Sequence, residues 1–111
     1  MIKRTFTQDK GIYGRQEREG FATSETSGFV VFREETRGWA LAQVRSGLSV
    51  MALVPRAAPK TKRGLLAFVE AMEAANEDAC AIVGALDTLP WPEEAKPFGR
   101  QLIDWARDYT P

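Results

Sequence analysis

The chain of 111 residues contains no histidine. That absence removes the commonest general base, the commonest transition-metal ligand and every Ser–His or Cys–His nucleophile pair. A single cysteine, Cys80, excludes an internal disulfide and any zinc ribbon or finger. No apolar run approaches the roughly 18 residues of a membrane span. The opening MIKRTFTQDK is polar and carries no signal-peptide core. The glycines of GIYG match neither a P-loop nor a dinucleotide fingerprint. Glu34–Glu35 and Glu93–Glu94 are adjacent carboxylates that point apart on a strand or around a helix, so neither forms an acid–base pair. These gaps lead to the expectation of a cytoplasmic protein with no enzymatic activity, no metal, no cofactor and no membrane association.

What is present is a charge asymmetry. Net charge is zero, from 15 bases and 15 acids, but residues 1–64 hold twelve of the Lys and Arg against six acids. Residues 65–111 hold three bases against nine acids, and no acid occurs between Glu35 and Glu70. One small body therefore presents a basic half and an acidic half. With 44% apolar and 27% charged residues the composition is that of one globular domain.

The pattern predicts an α+β fold: a three- to four-stranded antiparallel β-meander followed by two or three C-terminal helices packed on the sheet. Residues 1–27 read as a strand, in which Ile2, Arg4 and Phe6 alternate with Lys3, Thr5 and Thr7, followed by a long Gly/Ser/Thr-rich loop. Residues 28–55 read as the meander, with strands GFVVFREE, GWALAQVRSG and LSVMALVP separated by glycine turns and ended by Pro55. Thr61 is the expected N-cap of a helix over 61–77, with Leu65, Phe68, Val69, Met72 and Ala75 on one stripe and Glu70, Glu73 and Glu77 outside it. Asp78 is the expected cap of a short segment at 79–86, which periodicity leaves open as helix or strand. A last helix over 97–109 starts at Pro97 and buries Phe98, Leu102, Trp105, Ala106 and Tyr109. Cys80, between alanines, reads as a buried small hydrophobe with an inert thiol.

Three groups of residues are candidates for binding. Arg56, Lys60, Lys62 and Arg63, in the PRAAPKTKRG stretch ahead of the helix, are placed to meet an anion or an acidic partner. Arg33, Trp39, Gln43 and Arg45 share one face of the predicted sheet and have the side chains for phosphate and base-edge contacts. Trp91, between Pro90 and Pro92, either staples the helices or protrudes as a partner anchor. Three antiparallel strands followed by one helix, over residues 28–77, is similar to the arm-binding domains of tyrosine recombinases. It also resembles the plant-type three-strand domains that lay a sheet in the major groove. Those resemblances imply a DNA-binding module that uses the sheet and the 56–63 loop.

The strands, however, are apolar on both faces, whereas a groove-reading sheet needs one polar, basic face. Two-sided apolarity points to a sheet covered on both sides, or to one face lent to a partner, a second copy of the chain included. A small, charge-polarised domain without catalytic motifs resembles the accessory proteins of phages and mobile elements. The expectation placed first is therefore a binding protein that engages a protein partner and blocks a larger nucleic-acid-handling complex, as anti-defence and anti-CRISPR-like inhibitors do. Direct DNA binding is the alternative, and a small accessory enzyme the remaining one.

Overall fold

The computed structural model describes residues 1–88 and 90–111. Strands β1 (Ile2–Asp9), β2 (Arg15–Ala22), β3 (Phe29–Glu34) and β4 (Gly38–Gln43) form one antiparallel sheet in sequential order. Helices α1 (Lys62–Ala75), α2 (Glu77–Gly84) and α3 (Lys96–Arg107) follow, so the chain is an α+β fold.

The first departure from the sequence reading lies in residues 15–22, expected as loop and found as β2. It pairs with β1 along its whole length, from Ile2 opposite Ala22 to Asp9 opposite Arg15. The outer half of β2 is polar on both faces, which erases the alternation that marks a half-buried strand. Backbone pairing sets its register, with exposed ion pairs Lys3–Glu19 at 3.6 Å and Arg15–Asp9 at 3.9 Å adding little.

The second departure lies at residues 48–55, expected as a full strand. Only one bridge forms, Ser49 to Ala42, and Met51–Leu53 is a 3₁₀ turn. The Leu48 carbonyl accepts the Gln43 N–H at 3.0 Å, which reverses the chain at once. Beyond it the Met51 thioether accepts the Leu41 N–H at 3.2 Å, where a third strand would have offered a carbonyl. The segment serves the core instead, burying Val50 and Leu53.

The apolarity of both sheet faces has two separate causes. On one face Phe29, Val31 and Leu41 meet Leu65, Phe68, Val69 and Met72 of α1, Val83 of α2, and Leu102 and Ala106 of α3. On the other, Val30, Phe32, Ala40 and Ala42 are covered by Phe6 of β1, whose ring meets Phe32 edge-on at 5.1 Å. The β1–β2 hairpin thus folds over the sheet, and the Asp9 N–H reaches the Gly47 carbonyl at 2.9 Å to close the curl. Gly20 permits the fold: a Cβ there would lie 2.6 Å from Val30 Cγ2 and 2.8 Å from the Val31 oxygen. The face that the sequence offered to a second copy is filled from within the chain.

Thr61 caps α1 as expected, its hydroxyl oxygen accepting the Gly64 N–H at 3.0 Å. Four of the five stripe residues are buried, each contributing roughly 1.5–3 kcal/mol of transfer free energy, while Ala75 is exposed. Residues 77–84 are helical, so the open choice at 79–86 resolves to helix. Asn76, not Asp78, occupies the cap position; its side chain donates to the Met72 carbonyl and accepts from Gln101 Nε2, tying α1 to α3. Pro97 sits in the first turn of α3. Leu102 and Ala106 are buried there, and Phe98, Trp105 and Tyr109 half-buried.

Candidate functional site

The basic stretch before α1 is divided by the fold. Lys60 is exposed, and its ammonium folds back on its own loop to donate to the carbonyls of Pro55 at 2.7 Å and Ala58 at 2.6 Å, pinning the loop it belongs to. Lys62 Nζ stands 3.6 Å above the centre of the Phe21 ring, a cation–π contact that fastens the start of α1 to β2. Arg56 and Arg63 are exposed. Two of the four cations are thus engaged in holding the structure, which also accounts for positive charge at a helix end whose dipole disfavours it.

The proposed sheet-face array is likewise split. Gln43 is completely buried: its Nε2 donates to the Val83 carbonyl at 2.6 Å and its Oε1 accepts from Ser46 Oγ at 2.8 Å. It anchors α2 to the sheet and offers nothing to a groove. Trp39 is half-buried and leans on Phe21 with ring centres 6.4 Å apart. Arg33 and Arg45 are exposed, Arg33 opposite Trp39 in the register and Arg45 beyond the end of β4. Trp91 is the staple and not the protruding anchor. Its ring lies against α3, where a Cβ on Gly99 would come within 2.3 Å of Cζ3.

The fold brings forward two features that the sequence reading missed. One is the apex of the β1–β2 hairpin, where Gly11–Tyr13 makes a 3₁₀ turn. Ile12 is 94% exposed and Tyr13 82%, more than any other large apolar side chain described. The apex is nonetheless held in shape. Asp9 Oδ1 accepts the Gly11 N–H at 2.9 Å, and the Gly14 carbonyl accepts the Lys10 N–H at 2.8 Å. The available signal was the apolar pair itself, set between glycines in an otherwise charged run.

The other is a cleft of about 520 Å³ where the 24–28 loop, the end of β4 and α2 meet. Arg4 Nη1 donates to the carbonyls of Glu25 and Ser27, each at 2.8 Å. Ser27 Oγ donates to Glu73 at 2.7 Å, and the Thr23 hydroxyl donates to the other oxygen of the same carboxylate. Glu73, expected on a solvated face, is a half-buried clasp between loop and helix. Beside it burial, and then the negative charge of Glu73, push the Cys80 thiol from its ordinary value near 9 up to about 12. The thiol is therefore protonated and inert at neutral pH. Residues from positions 4 to 85 build this cleft, and no local pattern marks it in advance.

Among the described residues no three His, Cys, Asp or Glu side chains are grouped to hold a metal ion. No helix among them is long and apolar enough to cross a membrane. In comparisons with known proteins the chain matches no family model, no curated protein and no solved structure.

Proposed function

We propose that this chain is a non-enzymatic binding protein that docks on a protein component of a larger nucleic-acid-handling complex and blocks it, in the manner of phage or mobile-element anti-defence inhibitors. The observation that carries the docking is the hairpin apex. Ile12 and Tyr13 have no packing role in their own chain, yet hydrogen bonds hold the turn that displays them. An exposed tyrosine and an aliphatic side chain on a pre-ordered turn suit a pocket on another protein, because little conformational freedom remains to be lost on binding. The helical half indicates the class of partner. Glu70, Glu77, Asp78, Glu94 and Asp108 are exposed on or beside the helices and outside the ion pairs found among the described residues, whereas Glu93 and Asp104 pair with Lys96 and Arg107. The five unpaired acids form a surface suited to a groove that normally holds phosphates.

Direct DNA binding is the second reading, and the exposure of Arg33, Arg45, Arg56 and Arg63 favours it. It is placed lower because Gln43, Lys60 and Lys62 are committed within the fold. Anisotropy with labelled duplex and single strand separates the two. Isolated nucleic acid should bind at micromolar levels or weaker, and tight, salt-steep binding would reverse the order. The inhibitory role is read from phage plating on hosts that carry a nucleic-acid-targeting defence system. Expression of the protein should raise plating efficiency, and the double substitution Ile12→Ser, Tyr13→Ser should abolish that gain with the melting temperature unmoved. No gain on any such host would sink the inhibitor reading, and full activity of the double variant would remove the apex from it.

A further inference from the structure

The cleft bounded by the 24–28 loop and α2 lies apart from the apex and has a chemistry of its own. Its sheet side supplies two guanidinium groups, Arg4 from β1 and Arg45 from just beyond β4. Its helical side supplies two carboxylates, Glu73 from α1 and Glu77 from α2. These four are not equivalent. Arg4 and Glu73 are fixed by their hydrogen bonds to the loop, both through Ser27, which locks the frame of the cleft. Arg45 and Glu77 are exposed and form none of the ion pairs found among the described residues. The hydroxyls of Ser24 and Thr26 lie 3.3 Å apart on the loop wall and add neutral donors and acceptors.

We infer that this cleft is a binding site for a small zwitterion, a free amino acid or short peptide, with its carboxylate drawn to Arg45 and its ammonium to Glu77. The charge balance selects this class. A dianionic phosphate would meet the two acids of the helical side, and a simple cation would meet the two guanidiniums, so each would gain on one side and lose on the other. A ligand carrying both charges gains on both. A volume of about 520 Å³ falls within the range of about 300–1,000 Å³ typical of small-molecule sites and admits a dipeptide. On the helical side the small, exposed side chains of Ala81 and Ala85 leave room for the ligand's side chains.

The test is an amide-resolved NMR titration of the whole chain with alanylalanine, its N-acetyl form, its C-terminal amide and inorganic phosphate. Alanylalanine should give saturable shifts at residues 24–28, 44–45 and 77–85, and each blocked form should bind on the order of tenfold more weakly, the loss of one charge-assisted contact. Arg45→Gln should weaken the zwitterion by a similar factor and leave the C-terminal amide form unaffected. Glu77→Gln should weaken the zwitterion and leave the N-acetyl form unaffected. Both positions are exposed, so both variants should keep the parent's spectrum outside the cleft. Saturable binding of phosphate in place of the dipeptide would overturn the assignment. Equal binding of blocked and free forms would overturn it too, as would an absence of localised shifts with all four probes.

Discussion

Gly28 and Gly84 touch backbone to backbone: a Cβ on Gly28 would stand 2.3 Å from the Gly84 Cα, and one on Gly84 2.9 Å from the Gly28 Cα. Through this contact the end of α2 lies flat against the start of β3, close enough for Gln43 to reach the Val83 carbonyl. Both residues also line the cleft, so the contact sets one of its dimensions.

Gly28→Ala should therefore destabilise by about 1–3 kcal/mol, the usual range for overpacking, because the obstacle is backbone that cannot rotate aside. Gly84→Ala should cost less, since alanine recovers up to about 1 kcal/mol of helix propensity and the clash is milder. Urea unfolding of the two variants checks the order. Equal midpoints with the parent would mean that α2 is not docked on β3.

A second prediction concerns two aromatic residues that the sequence treats alike and the fold does not. Phe68 is fully buried, between Trp105 at 5.9 Å and Tyr109 at 5.1 Å, whereas Trp105 is only half-buried. Phe68→Ala should cost about 3–5 kcal/mol. Trp105→Ala should fall clearly below it, since part of that ring's surface stays in water. Calorimetric melting of both variants decides, and a larger loss at Trp105 would contradict the packing.

These cases show what was readable in the sequence. Helix α1 was, because its cap and its stripe are local: Thr61 and Gly64 are three positions apart, and Leu65, Phe68, Val69 and Met72 repeat at helical spacing. Strand β2 was not, because Gln16 to Glu19 are polar on both faces and only pairing with β1 makes them a strand. The end of the meander failed for a different reason. A methionine sulfur took a place in the hydrogen-bond pattern that no propensity scale assigns to it. For the binding surfaces the gap was wider. Sequence supplies residue types, but whether Lys60 meets a phosphate or its own loop's carbonyls depends on where the chain turns. The cleft is wholly non-local, since Arg4, Ser27 and Glu73 acquire their relation only in the fold.

A third prediction follows from the division of the basic stretch. Four free cations would give a duplex-binding salt slope of roughly −3 to −4, at about −0.9 per phosphate contact. With Lys60 and Lys62 committed internally, the loop should contribute no more than about −2, from Arg56 and Arg63. In anisotropy titrations over a salt series, Arg56→Ala with Arg63→Ala should flatten the slope by that amount, and Lys60→Ala should leave it unchanged. A Lys60→Ala effect equal to that of Arg63→Ala would show that the ammonium leaves its carbonyls to bind.

The last prediction rests on Cys80. Its folded-state pKa is raised to about 12 from an ordinary value near 9, by burial first and the Glu73 carboxylate second. Between those two values the unfolded chain loses the thiol proton while the folded chain keeps it, so unfolding is favoured as pH rises. The stability tied to the neutral thiol is therefore fully present below about pH 9 and is lost progressively toward pH 12. Cys80→Ala isolates the thiol's share of any alkaline loss. Urea midpoints of parent and variant should show a constant difference from pH 6 to about 8.5, set by the substitution itself. Above that, the parent should fall more steeply than the variant. Parallel curves through the alkaline range would place the thiol in water. A rapid reaction of the folded parent with a thiol reagent at neutral pH would say the same, because a buried, protonated sulfur reacts only when α2 opens.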